Sequence, residues 1–143
     1  MLLPEEDHAE TINSFSELQW QPLMDLMPLI EQTQKFGKMG GGEKIKEGVF
    51  TIPHWNEDGL VSKFREIVYD MPIIINFDWG HWDEGREIAG NENFDYDTID
   101  IPTKCKLITA IVRNDRFCEG ALISAFESGL ILKILKSIKN QIG

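Results

Sequence analysis

The chain has 143 residues, of which 42% are apolar and 27% are charged, and its formal net charge is −10. This length and composition are typical of one folded domain that buries a core without disulfides or metal ions, and they argue against disorder. The acidic balance argues against nonspecific nucleic-acid binding, which needs clustered cations to neutralise phosphates.

The charge is distributed unevenly along the chain. Residues 101–143 contain seven Lys and Arg residues and three Asp and Glu residues, so the net charge of this segment is +4 and that of the remainder is −14. Lys133, Lys136 and Lys139 fall on one helix face, which favours a solvated helix surface and leaves nucleic acid as the weaker alternative.

Several features predict a cytoplasmic protein. No run of about 20 apolar residues occurs, so no membrane span is expected. The first seven residues lack the basic start and apolar stretch of a signal peptide. Cys105 and Cys118, the only cysteines, lie among helix-patterned residues, and we expect both to be reduced and buried.

Residues 1–13 are polar and show no periodicity, which predicts a flexible N-terminus ahead of a single mainly helical domain over residues 14–143. Capping boxes beginning at Ser14 or at Ser16 predict a helix that reaches about Phe36. Pro28 removes an internal hydrogen bond and predicts a kink or break in that helix.

The centre of the chain predicts a small β element and two helices. Residues 37–42 are glycine-rich and predict a loop, without the Lys and Ser/Thr of a phosphate-binding loop. Residues 49–52 predict an edge strand and residues 73–77 a buried strand, and the two could pair as a ribbon. One helix is expected from about Asn56 to Met71, and another from Asp78 to Ala89.

The C-terminal part predicts three helices joined by links of one or two residues. Asp100 and Pro102 begin the first, Asn114 and Asp115 turn the chain, and residues 128–129 separate the last two. The apolar residues expected inside are Leu107, Ile108, Ile111, Val112, Phe117, Leu122, Ile123, Phe126, Leu130, Ile131, Ile134, Leu135 and Ile138. The predicted fold is therefore mainly α (α+β), with a C-terminal three-helix unit and a two-stranded β element.

The first candidate ligand-binding segment is residues 78–86. Helical spacing brings Trp79, Trp82 and Arg86 onto adjacent turns, with Asp78 and Asp83 beside them. Aromatic rings next to a carboxylate and a guanidinium suit a small planar or cationic ligand. The alternative is structural, with the tryptophans anchoring the helix and the charges facing water.

The second candidate segment is the corner at residues 113–119. Its polar and reactive side chains are Arg113, Asp115, Arg116, Cys118 and Glu119. They suit a carboxylate or phosphate ligand, or they pair and cap one another, with Asp115 as a helix N-cap. We expect the helix at 79–89 to pack near the 113–119 corner, so that Arg86, Arg113 or Arg116 meets Asp78, Asp83, Asp115 or Glu119.

No catalytic residue, metal site or cofactor is predicted. The three histidines are isolated from one another, and no His-x-x-x-His or Cys-x-x-Cys spacing occurs. A nucleophilic Cys118 would need a base, and no histidine is near it in sequence.

The chain resembles a family of small bacterial proteins of unknown function. The resemblance spans roughly residues 20–138 and is carried by FDWGHW at 77–82, EGR at 84–86, LITAIVRNDRFCEG at 107–120 and FESG at 126–129. It implies a bacterial cytoplasmic domain and transfers no catalytic role to any residue.

Two hypotheses for function follow. The favoured one is a non-catalytic binding or regulatory module, acting on an unknown protein partner or small molecule. The alternative is a small enzyme or ligand-binding protein with a cleft between residues 78–86 and 113–119, for which a deep pocket touched by both segments is expected. The sequence leaves the oligomeric state open.

Overall fold

A computed structural model describes residues 2–40, 44–50 and 54–142, and these residues are mainly helical. The predicted mainly α fold is confirmed, and none of the helices described is long and apolar enough to cross a membrane. The α-helices within these ranges are α1 (Glu5–Asn13), α2 (Glu17–Met24), α3 (Leu26–Gln32), α4 (Gly59–Asp70), α5 (Asp83–Gly90), α6 (Ile101–Asn114), α7 (Ala121–Glu127) and α8 (Leu130–Ile142).

Short strands pair in twos. They are β1 (Leu3–Pro4), β2 (Gly37–Gly40), β3 (Lys44–Lys46), β4 (Val49–Phe50), β5 (His54–Glu57) and β6 (Ile75–Asn76). β1 pairs with β6 in parallel, while β2–β5 and β3–β4 are antiparallel. The predicted ribbon of residues 49–52 with 73–77 is wrong, because β4 and β6 each have another partner. Residues 51–53 lie outside the described residues.

The first four residues of the glycine-rich segment form strand β2 rather than the predicted loop. Gly37 lies opposite Glu57 of β5. A Cβ atom at Gly37 would lie 2.6 Å from Cδ1 of Ile123 and 3.1 Å from the carbonyl oxygen of Asn56. A side chain at this position would therefore displace Ile123 where the strand passes close to α7. Gly41 and Gly42 lie outside the described residues.

Of the two predicted capping boxes, the one at Ser16 forms. The backbone N–H of Gln19 donates to the Ser16 hydroxyl, and the side-chain oxygen of Gln19 accepts from the backbone N–H of Ser16. The helix then breaks at Asp25, between α2 and α3. The break agrees with the expected effect of Pro28, which cannot donate to the Met24 carbonyl four residues earlier.

The N-terminus differs from the prediction of a flexible segment. Residues Glu5–Asn13 form α1, which buries His8 and Ile12, one helical turn apart. Oε1 of Glu5 lies 2.7 Å from Nζ of Lys106 on α6. Contacts with distant residues thus order a helix that has almost no local apolar periodicity.

The core contains the C-terminal helices as predicted, with two differences. Ile108, Ile134, Leu135 and Ile138 are fully buried. The link between α6 and α7 has six residues, 115–120, rather than one or two. Phe117 therefore lies in this link, outside α7, and is 77% exposed.

Candidate functional site

The first candidate segment is a 3-10 turn (Trp79–His81) followed by α5. Asp78 does not cap it; its carboxylate lies 2.9 Å from Nδ1 of His81, and both side chains are exposed. The Trp82 ring lies directly on Gly85, where any Cβ atom would overlap it. Trp82 also meets Phe77 edge-on, with 5.5 Å between ring centroids. These contacts fix the Trp82 ring at the start of α5.

A groove of about 240 Å³ separates this segment from α6. We call it the aromatic groove. It is lined on one side by Trp79, Gly80, Trp82, Gly85, Arg86 and Ala89, and on the other by Leu107, Ala110, Ile111 and Asn114. Its walls are therefore mostly rings and aliphatic side chains, with one guanidinium and one amide.

The guanidinium in the groove belongs to Arg86 and is partly neutralised. Arg86 donates to the carbonyl oxygen of Gly80. Its Nη1 atom lies 3.5 Å from Oδ1 of Asp83, one turn earlier on α5. This ion pair lies within the first segment, whereas the expected one joins the two segments.

The two candidate segments meet through aromatic rings. Trp79 and Phe117 have ring centroids 6.0 Å apart and planes tilted by 37°. Asn114, next to Arg113, also lines the aromatic groove. The groove is small, and none of the candidate side chains of the 113–119 corner is among the described residues that line it.

Asp115 holds the corner through a partner that sequence reasoning missed. Its Oδ2 accepts from Arg65 of α4 at 2.9 Å, and its Oδ1 accepts from the Leu122 amide at 3.0 Å. Arg65 also pairs with Glu57. Burial opposes the charge of Arg65, but the hydrogen bond and charge of Glu57, together with the charge of Asp115, outweigh it and raise the pKa of Arg65.

Asp115 is thus the C-cap residue of α6, and its side chain also accepts from the Leu122 amide in the first turn of α7. The N-cap position of α7 itself is occupied by Gly120, which has a φ of 90°. The ion pair of Asp115 is with Arg65 rather than with the expected Arg113 or Arg116. No local signal identifies this pair, because Arg65 and Asp115 lie 50 residues apart in sequence.

The remaining corner residues do not form a closed site. Arg113 is half-buried, and its buried Nε has no acceptor among the described residues. Arg116, Cys118 and Glu119 are exposed. The prediction that Cys118 is buried in a helical turn is therefore wrong, whereas Cys105 is buried as predicted. In the described ranges, no three His, Cys, Asp or Glu side chains converge as a metal site would require.

Residues 15–143 match a family described as a family of unknown function, DUF6508. The chain belongs to this family. No curated protein and no solved structure matches the chain. The matched segment contains the whole aromatic groove and excludes α1. Because the family has no described activity, the candidate function has to be argued from the chemistry of the groove.

Proposed function

We propose that this protein is a non-catalytic binding module, and that its aromatic groove holds a planar group from a small molecule or from a side chain of a protein partner. The observation that carries the proposal is the groove itself. Two indole rings, Trp79 and Trp82, face aliphatic side chains of α6 across about 240 Å³. Concave apolar surfaces with a few polar atoms are the usual form of ligand sites.

The size and charge of the groove narrow the ligand class. Its volume of about 240 Å³ is below the range of about 300–1,000 Å³ that drug-sized ligands occupy, which favours a single ring system. The net charge of −10 disfavours an anionic ligand, and Asp83 offsets the charge of Arg86. A neutral or cationic ring suits these walls, because indole faces attract cations.

The proposed setting is the bacterial cytoplasm. The family resemblance in the sequence supports it, and Cys105 and Cys118 are both free thiols in the structure. A reducing compartment keeps such thiols free.

The proposal is tested with indole as the probe and two-dimensional ¹⁵N NMR as the measurement. Trp79 and Trp82 line the groove, whereas Trp20 is 1% exposed in the core. We expect indole to shift the side-chain N–H signals of Trp79 and Trp82 and to leave that of Trp20 in place. Equal shifts for all three would contradict the proposal.

A matched pair of variants tests the location. Ala110→Leu places a larger side chain in the groove and is expected to abolish the shifts. Ala9→Leu makes the same change at an exposed position of α1 and is expected to leave them intact. Binding that survives Ala110→Leu would place the indole site elsewhere.

A further inference from the structure

We propose that a second groove, between α2–α3 and the end of α8, docks a basic, amphipathic segment of another protein. This surface is separate from the aromatic groove, and the proposal does not depend on the function assigned to that groove. It rests on the shape of the surface, on its exposed apolar side chains and on its charge.

The second groove has a volume of about 550 Å³. We call it the acidic groove. Its floor includes Met24, Met27 and Ile142, and its rim carries Glu17, Asp25 and Glu31, with Lys139 as its basic member. Methionine side chains are unbranched and polarizable, so a floor that contains two of them adapts to different apolar partners.

Two exposed leucines lie on the helices that border the groove. Leu18 is 81% exposed and Leu29 is 51% exposed. They adjoin the groove residues Glu17 and Pro28 in sequence. Large apolar side chains that stand in solvent beside an apolar groove are typical of protein-binding sites. An amphipathic helix that inserts apolar anchors one turn apart fits such a surface.

The charge of this region indicates a basic partner. Residues 1–34 contain seven Asp and Glu and no Lys or Arg. Glu31 lies 3.7 Å from Lys136 of α8. Among the described residues, neither Glu17 nor Asp25 has a basic group within 4.0 Å. Two rim carboxylates therefore face solvent without a counter-charge, and lysine or arginine side chains of a partner would complement them.

A second copy of this chain fits the surface less well than a basic partner does. Each copy carries a net charge of −10, so approach of two copies is repulsive at long range. Lys136 of α8 already lies beside Glu31, and Lys139 already lines the groove of its own chain.

The experiment measures binding of an amphipathic Leu–Lys helical peptide by isothermal titration calorimetry. A Leu–Glu peptide with the same apolar pattern serves as the probe control. We expect the full chain to bind the Leu–Lys peptide, with affinity that falls as salt is raised, and not to bind the Leu–Glu peptide. No binding of the Leu–Lys peptide would overturn the proposal.

Two charge-reversal variants distinguish binding at the acidic groove from general attraction of a basic peptide to an acidic protein. Glu17→Lys with Asp25→Lys changes the groove rim, whereas Glu66→Lys with Glu87→Lys makes the same net change at exposed positions of α4 and α5. The rim pair is expected to weaken binding about tenfold or more, and the distant pair less than about threefold. Equal weakening by both pairs would show attraction to overall charge and overturn the proposal.

The apolar part of the proposal is tested with Leu18→Ser and Leu29→Ser, which alter exposed side chains and leave the core untouched. The double variant is expected to weaken peptide binding about tenfold while the circular dichroism spectrum stays unchanged. Unchanged binding overturns the docking surface. Sedimentation of the unmodified chain as a dimer that these leucine changes dissociate would assign the surface to a second copy instead.

Discussion

His8 lies on α1 with 1% of its surface exposed, and neither ring nitrogen has a hydrogen-bond partner among the described residues. Burial lowers its pKa and Lys106 of α6 lowers it further, while the backbone of Ile73 and the charge of Glu5 on its own helix oppose the shift. Burial costs the charged imidazolium its hydration and outweighs these opposing effects, so the fold favours the neutral form of His8.

The pH dependence of stability follows from the direction of that shift. The pKa of His8 is lower in the fold than its unfolded value of about 6.5, so the unfolded chain binds the proton more tightly. The stabilisation that comes from keeping His8 neutral is fully present above about pH 6.5. As the pH falls below this value, the free energy of unfolding decreases by at most about 1.4 kcal/mol per pH unit.

We expect His8→Leu to remove this loss of stability between about pH 7 and about pH 5.5, as measured by urea unfolding at both pH values. His81→Leu, at an exposed histidine, is the control and should retain it. An unchanged pH dependence in His8→Leu would assign the acid sensitivity to other groups.

The two cysteines differ in access, which gives a second prediction at this scale. Cys118 is exposed in the α6–α7 link, whereas Cys105 is fully buried. Burial also raises the pKa of Cys105, and the thiolate is the reactive form. We expect a thiol reagent to label one cysteine in the native protein and two after denaturation. Cys118→Ser should abolish the native labelling; labelling that persists in this variant contradicts the assignment.

At the scale of elements, Asp115 joins α4 to the α6–α7 corner. It accepts from Arg65 and from the Leu122 amide. We expect Asp115→Ala to lower the free energy of unfolding by about 1–3 kcal/mol, because the Leu122 amide loses its acceptor and the half-buried Arg65 guanidinium loses one of its two carboxylate partners. Glu66→Ala, on the exposed side of α4, should change it by less than about 0.5 kcal/mol.

A double-mutant cycle with Arg65→Ala separates the ion pair from the capping bond. The coupling energy reports the Arg65–Asp115 interaction alone, since the Leu122 bond is lost whenever Asp115 is replaced. Additive effects of the two changes would show that the capping bond carries the whole effect.

Helix positions could be predicted from sequence where the signal is local. Asp100 accepts from the backbone amide of Thr103 at the start of α6 as predicted, and the Ser16 box forms. By contrast, α4 begins at Gly59 rather than at about Asn56, because residues 54–57 form strand β5 against β2. Strand pairing could not be predicted, because Leu3–Pro4 and Ile75–Asn76 are two residues long and distant in sequence. Such short segments carry no alternation that would identify a partner.

The candidate site likewise combines a feature that the sequence predicts with one that it does not. The two candidate segments lie close together as expected, through the contact of Trp79 with Phe117, whereas the expectation rests on pairing between arginines and carboxylates. The charge pairing at the corner could not be predicted, because the acceptor of Arg65 is set by how α4 packs on α7 and not by nearby residues.

For the whole molecule, the C-terminal helices contribute the fully buried Ile108, Ile134 and Leu135 to a core that also includes fully buried side chains of α4 and of residues 73–75. Ile111 is half-buried and lines the aromatic groove instead. We expect Leu135→Ala to cost about 2–5 kcal/mol, with Ile111→Ala costing clearly less because its side chain keeps some access to water. Chemical denaturation measures both, and a larger loss for Ile111→Ala would contradict this placement of the core.

Native-state hydrogen exchange tests how that core distributes stability over the molecule. The amides of α8 around Ile134, Leu135 and Ile138 are enclosed by buried side chains and should exchange only through global unfolding. The β3–β4 pair has exposed side chains at Lys44, at residues 46–48 and at Val49, so its amides should exchange through local opening.

Leu135→Ala is the comparison variant for that exchange measurement. It should speed exchange in α8 by the factor that corresponds to its loss of global stability, while exchange in β3–β4 stays as it was, because local opening leaves the core intact. If the β3–β4 amides were as slow as those of α8 and accelerated with them, the hairpin would belong to the same cooperative unit, and its exposed side chains would be a poor guide to its stability.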